Sequence, residues 1–215
     1  MKITPTKTPL VVKRLFPDYI WEIPSNEKEL YLTFDDGPTP NVTDWILNEL
    51  NQVNAKATFF SIGKNVKEYP QLFNQILENG HSIGNHTQNH IKGWKTKTKS
   101  YLENVFEAEK AITEHIDGSL KLNLFRPPYG QIKPKQGKKL IELGYKIVMW
   151  DVLSFDWDKT VSNHECFNNV ISKSKNGSII VFHDSVKASN NMKFTLPKVL
   201  EYYTEKGFSF KGISV

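Results

Sequence analysis

The chain has a single cysteine in 215 residues, Cys166, which excludes an internal disulfide. It falls in a predicted helix beside Phe167 and Val170, a setting for a buried, inert thiol rather than a nucleophile. No stretch approaches the ~20 consecutive apolar residues of a membrane-spanning helix. The first twenty residues also lack the basic start, apolar run and small-residue cleavage site of an export signal. As written, the chain is expected to be cytoplasmic with no transmembrane segment, reaching the envelope only by a route that leaves no recognisable signal. No repeat at a fixed period and no low-complexity tract is present. Nor is the charge strongly of one sign: 28 Lys and Arg against 23 Asp and Glu leave +5, with a pI near 9.1. Lysines gather at Lys92–Lys99 and Lys133–Lys139, without aromatic interleaving or a nucleic-acid motif. They are therefore read as solvated loops, and nucleic acid is not an expected partner.

What is present suffices for one substantial core, since 39% of the residues are hydrophobic and 12% aromatic. One folded domain is expected over residues 29–215, acting as a monomer. Residues 1–28 are broken by Pro5, Pro9, Pro17 and Pro24, yet they carry Leu10, Val11, Val12, Leu15, Phe16, Tyr19, Ile20 and Trp21. Such a segment must be buried somewhere. It is expected to pack as an irregular stretch across the barrel end away from the site, with a weak membrane-surface contact as the alternative.

The remaining chain alternates strand-like and helix-like segments. Strands are predicted at Leu30–Phe34, Ala57–Ile62, His81–Asn85, Leu122–Phe125, Tyr145–Val152, Ser178–Phe182 and within Phe208–Val215. Helices are predicted at Thr43–Val53, Pro70–Asn79, from Ser100 through Ile116, at Pro134–Leu143, His164–Lys173 and Leu196–Glu205. Gly80, Gly144 and Gly207 supply the stop signals, and Ser100 with Glu103 reads as a capping box. The alternation predicts an α/β fold, an irregular (β/α) barrel of about seven parallel strands with its site at their C-terminal ends.

The polar residues obey that geometry. Asp35-Asp36 follow the first strand, His86 and His90 the third, Arg126-Pro127-Pro128-Tyr129-Gly130 the fourth, Asp156-Trp157 the fifth and His183-Asp184 the sixth. An Asp-Asp pair alone is usually turn chemistry, with one carboxylate bonded to a nearby N–H. Here the two imidazoles at i and i+4, one helical turn apart, add two nitrogens to one carboxylate oxygen. Three ligands with an open fourth position describe a hydrolytic rather than a structural zinc centre, and the second carboxylate is then free to act as a base. The residues alone do not say which aspartate takes which part. His81 reads as a packing histidine, His115 and His164 as surface residues on helices, and Asp184 as a loop support.

These segments resemble the polysaccharide deacetylases of the NodB-homology type, carbohydrate esterase family four, from about Glu29 to Phe210. The resemblance rests on Thr33-Phe34-Asp35-Asp36-Gly37, His86-Thr87-Gln88-Asn89-His90, Arg126-Pro127-Pro128-Tyr129, Asp156-Trp157 and Val181-Phe182-His183, in that order. It implies an irregular seven-stranded β/α barrel that removes N-acetyl groups from N-acetylglucosamine units of a glycan, peptidoglycan or chitin-type. It also implies one divalent metal, usually zinc and sometimes cobalt or nickel, held by Asp36, His86 and His90. Asp35 would be the general base, held by Arg126; the Tyr129 backbone N–H would face the oxyanion; His183, oriented by Asp156, would be the general acid. Pro127, Pro128, Tyr129, Trp157 and Val181 would line the substrate groove.

Two departures from the family pattern stand out. The acid expected three residues before Asp156-Trp157 is Leu153, with Asp151 nearby, which reshapes part of the groove wall. Val181 replaces a leucine and makes the acetyl-methyl pocket slightly roomier. Tyr129, which the muramic-acid-directed branch replaces by arginine, is retained and favours N-acetylglucosamine. Two rivals differ in kind. A metal phosphoesterase would need more bridging carboxylates for a second metal, and a non-catalytic glycan-binding protein would have lost an acid or a base.

Overall fold

The protein, seen in a computed structural model, is described here over residues 5–116 and 122–214. Its centre is a curled, parallel sheet. The strands are β1 (Glu29–Asp35), β2 (Thr58–Ser61), β3 (Ser82–Asn85), β4 (Leu124–Phe125), β5 (Lys146–Ile147), β6 (Val152–Leu153), β7 (Ile179–His183) and β8 (Ser209–Phe210). They run in the order β5-β4-β3-β2-β1-β7-β6, while β8 pairs with the start of β1. The helices are α1 (Leu10–Leu15), α2 (Thr43–Gln52), α3 (Gly63–Glu68), α4 (Pro70–Glu78), α5 (Thr98–Thr113), α6 (Pro134–Glu142), α7 (Asn163–Ile171) and α8 (Ser189–Glu205).

Strand alternation decides what faces the site. Along β1, Leu30, Leu32 and Phe34 belong to the core between sheet and helices, whereas Tyr31 belongs to the cluster inside the curl. The two-residue period therefore turns Thr33 and Asp35 inward with Tyr31. On β7, Ile180 and Phe182 pack outward and Ile179 inward, so His183 also turns in. The parallel register pairs Asp35 with His183, bringing a carboxylate and an imidazole side by side at the C-terminal edge.

Three helix ends follow the predicted stops. Gly80, Gly144 and Gly207 take φ of 70°, 91° and 74°, values that cost a residue with a Cβ. In each case the next N–H reaches back to the helix: His81 to Ile76, Tyr145 to Leu140 and Phe208 to Tyr203. That bond pattern is the Schellman stop.

Other boundaries differ from expectation. Helix α5 starts at Thr98 after Lys97, so Ser100 and Glu103 lie inside it; the working capping box is Ser162 with Glu165, opening α7. Helix α8 begins at Ser189, well before Leu196, and carries Pro197 within it. Buried Met192, Thr195, Leu196, Val199 and Leu200 outweigh the one backbone bond that the proline forgoes. The long strand expected at Tyr145–Val152 is divided into β5 and β6.

The N-terminal segment fills that division. Ile20 N–H donates to Ile147 O and Met149 N–H to Ile20 O, while Thr8 N–H donates to Asp151 O and Leu153 N–H to Thr6 O. Residues 22–26 reach the far end, with Glu22 and Ile23 beside Ser178 and Gly177 and the Ser25 carbonyl accepting from the Asn176 amide. The segment thus closes the flank of the curl beside the site as well as the far end, and it contains a helix, α1, where an irregular stretch was expected. Asp151 anchors it: the fully buried carboxylate meets Lys7 at 2.7 Å, Lys13 at 2.6 Å and the Ser178 hydroxyl at 2.5 Å. It is therefore no part of the groove wall. Asp151→Ala removes one of the two carboxylates that hold the Lys13 ammonium, leaving Glu22, and deprives the buried Ser178 hydroxyl of its acceptor; it is expected to destabilise the fold by about 1–3 kcal/mol. Urea denaturation checks this, and an unchanged midpoint would contradict the anchoring role.

Candidate active site

Asp36, His86 and His90 place one ligand atom each within 4.8 Å of one another. Their loops, not a helix, bring this about. His86 follows β3 with its N–H on Ser61 O. The chain then turns through positive φ at Thr87 (66°) and His90 (51°), so the i, i+4 pair converges without the helical turn that its spacing suggested. Asn85 Oδ1 accepts from Thr87 N–H, and the Asn104 amide oxygen of α5 accepts from Gln88 and Asn89 N–H. Asp36 itself turns away from the strand with φ 88°, its carbonyl held by the Asn65 amide of α3 at 2.7 Å.

The orientation of His86 is fixed from behind. Its Nδ1 lies 2.8 Å from the Arg126 carbonyl, which can only accept, so Nδ1 carries the proton and Nε2 presents a lone pair. Burial lowers the His86 imidazole below its ordinary value, against the pull of Asp35 and Asp36. Burial, then the neighbouring His86, brings His90 down to about 4. Both rings are neutral near pH 7, as metal ligation requires. Asp36 Oδ1 sits 3.1 Å from His90 Nε2 and 3.7 Å from His86 Nε2. It is buried and has no hydrogen-bond partner among the described residues. A buried carboxylate oxygen left so, between two imidazole nitrogens, fits a cation and is costly without one.

Asp35 faces a different neighbour. Arg126, fully buried, donates from Nη1 to Asp35 Oδ1 and to Thr33 Oγ1, both at 2.7 Å. Its remaining nitrogens donate to the Val148 and Met149 carbonyls, and its guanidinium lies 4.1 Å from the Phe60 ring centroid. Each nitrogen of the guanidinium thus donates to a fixed acceptor, which is what allows the cation to be buried. Burial would raise the Asp35 carboxyl, but Arg126 and the two nearby histidines bring it below the ordinary carboxylate value.

Opposite lies His183. Asp156 accepts from its Nδ1 at 2.8 Å and from its backbone N–H at 2.7 Å, clamping ring and backbone together. Burial would lower this imidazole, but Asp156 prevails and raises it to about 9. Trp157 stands edge-on to the ring at 4.7 Å. Asp184 supports the loop, as expected: it accepts from Gly37 N–H at 2.8 Å and the Thr43 hydroxyl at 2.7 Å. Burial pushes its carboxyl up to about 7. A Cβ on Gly37 would fall onto this carboxylate, so the turn requires glycine.

Residues 22–148 match the family described as Polysaccharide deacetylase. The chain belongs to that family. A peptidoglycan-N-acetylglucosamine deacetylase of Bacillus cereus is 35% identical over 195 residues, 90% of each chain. A chitooligosaccharide deacetylase of Azorhizobium caulinodans is 35% identical over 162 residues, 75% of this chain and 76% of that one. The crystal structure of the Bc1960 peptidoglycan N-acetylglucosamine deacetylase, in complex with 4-naphthalen-1-yl-N-oxidanyl-benzamide, superposes with a TM-score of 0.87. It is 33% identical, over 96% of this chain and 95% of that one.

Within this polysaccharide deacetylase fold the site opens into a cavity of about 310 Å³. Asp35, Asp36, His86, His90 and His183 line it, with Pro127, Tyr129, Trp157, Leu153 and Val181 as walls. Arg126 and Asp156 stand behind it, acting through Asp35 and His183. Pro128 does not reach the cavity: it is buried in the short turn Pro128–Gly130, where Tyr129 takes φ 59°. Cys166 and His81 are packing residues. The thiol is buried and pushed up to about 12 by burial, and His81 Nδ1 accepts from Ala57 N–H. His164 is exposed, whereas His115 lies half-buried past the end of α5, bonded to Asn74. Gly130, named in the sequence only within its strand-end cluster, lines the cavity too, as do Gln131 and Trp150, which were not singled out. Trp150 follows the same strand-end rule as the others, but a strand drawn through to Val152 concealed it.

Proposed function

We propose that the protein hydrolyses the N-acetyl amide of N-acetylglucosamine units in a peptidoglycan or chitin-type glycan, with one divalent metal held by Asp36, His86 and His90. The observation that carries this is the unpartnered Asp36 oxygen between two imidazole nitrogens, with Asp35 and His183 in register beside it. One borderline-soft cation, zinc by this N₂O donor set, supplies Lewis-acid polarisation of the acetyl oxygen and acidifies a water. Asp35, kept ionised by Arg126, takes the proton of the attacking water. His183, kept protonated by Asp156, delivers a proton to the departing amine. The Tyr129 N–H would donate a hydrogen bond to the charge that develops on the acetyl oxygen. Leu153 and Val181, both buried, bound the acetyl methyl, and Trp157 forms the sugar-facing wall.

The pH dependence follows from the two shifts. The base is active while Asp35 is ionised, which holds through mildly acidic pH because its carboxyl is lowered. The acid is active while His183 is protonated, which is lost as pH rises through about 9. Activity should therefore hold across neutral pH and fall on an alkaline limb near 9; a limb near the ordinary histidine value, ~6.5, would contradict the role of Asp156.

The retained Tyr129 and the named activities of the relatives support N-acetylglucosamine as the unit attacked. Acetate release from N-acetylglucosamine oligomers, peptidoglycan and acetylxylan tests the reading. Release from the first two is expected, and release confined to acetylxylan, or from none, would refute it.

A further inference from the structure

A second groove, of about 460 Å³, lies beside the site and contains none of the reacting groups. Tyr129, Gly130 and Trp150 line both spaces. Gly130 makes that boundary thin: its φ is 66°, and a Cβ there would meet Trp150 Cη2 at 2.6 Å. Only bare backbone fits between the turn and the indole.

The far walls are flat rings. The N-terminal segment contributes Phe16 and Tyr19, stacked at 5.5 Å with 12° between their planes. Trp94, 62% exposed, lines the same groove. Its indole N–H donates to Ile132 O at 3.2 Å, which fixes the ring. Two neighbouring donors are likewise committed within the protein: Thr8 donates its hydroxyl to Trp150 O, and Trp21 its indole N–H to Phe16 O. A surface made chiefly of exposed rings, with these donors already used, selects ligands mainly by their faces. A pyranose ring offers an apolar C–H face of that kind while its hydroxyls stay in water.

We infer that this groove holds the sugar rings flanking the unit being deacetylated, stacked on Trp94 and on the Phe16–Tyr19 pair. The inference rests on the deacetylase reading above, because the occupant is taken to be continuous with the substrate across Gly130. An unconnected apolar ligand would not need that continuity. The consequence is a preference for longer chains, set by the N-terminal segment rather than by the reacting residues.

The test uses the metal-loaded full chain as wild type, Trp94→Ala and Phe16→Ala. It measures kcat/KM and calorimetric binding for N-acetylglucosamine oligomers from dimer to hexamer, and binding to anionic lipid vesicles. In wild type, affinity and kcat/KM are expected to rise with length. The hexamer-to-dimer ratio should fall about tenfold in either variant, mainly through KM, the size of a lost ring stack. The same ratio in all three proteins would overturn the inference. Hexamer binding that depends on Trp94 without any acetate release would refute the deacetylase reading and leave the groove standing. Deacetylation of peptidoglycan with no length-dependent oligomer binding would do the reverse. Vesicle binding lost in Trp94→Ala, with oligomer binding unaffected, would give the groove to a membrane and overturn the assignment.

Discussion

Asp36→Asn is expected to cost the protein its metal, whereas Asp35→Asn, one residue earlier, should leave the metal bound and lower kcat by about 10²–10⁴-fold. The backbone separates the two. Asp35 ends β1 on the inward face, ion-paired to Arg126 at 2.7 Å, while Asp36 breaks away with φ 88° toward His86 and His90. A carboxamide at position 36 loses the charge that offsets the cation, and one at position 35 loses the proton acceptor and the charge paired with Arg126 while leaving the three clustered ligands in place. His86→Ala should also empty the site, since a three-ligand centre does not survive loss of an imidazole. Elemental analysis with kcat for each variant decides this; metal lost from Asp35→Asn and retained by Asp36→Asn would reverse the assignment.

His183→Ala carries the second large effect. Metal should be retained, because His183 is not among the three clustered ligands, while kcat falls about 10²–10⁴-fold and the alkaline limb disappears from the pH–rate profile. Asp156→Asn should give an intermediate result. The imidazole keeps a bonding partner, loses the charge that raises it to about 9, and moves the limb toward lower pH. An alkaline limb that persists near 9 in His183→Ala would assign the titration to another group.

Much of this site was legible because the chemistry needs residue types that stand out at strand ends. Asp35, His183, Arg126 and the histidine pair all follow apolar runs, and the parallel topology sends such positions to one edge. The Schellman stops at Gly80, Gly144 and Gly207 were legible for a similar reason: each needs a positive φ that glycine takes readily. What escaped depends on contacts distant in sequence. The convergence of His86 and His90 comes from positive φ at Thr87 and His90, held by Asn104 from α5, and no local spacing encodes that. Helix α8 runs through Pro197 because tertiary burial overrides the breaker. The N-terminal segment was recognisable as something that must be buried. Its place between β5 and β6 rests on Asp151 meeting Lys7 and Lys13, more than a hundred residues away in the chain.

The central claim, a single metal at Asp36, His86 and His90 serving glycan deacetylation, is tested most directly by titrating zinc into chelator-stripped protein while following acetate release from an N-acetylglucosamine oligomer. The account predicts no release from the stripped protein and a linear recovery that breaks at one zinc per chain. Full acetate release by the metal-free protein, or recovery that needs a second equivalent, would contradict it.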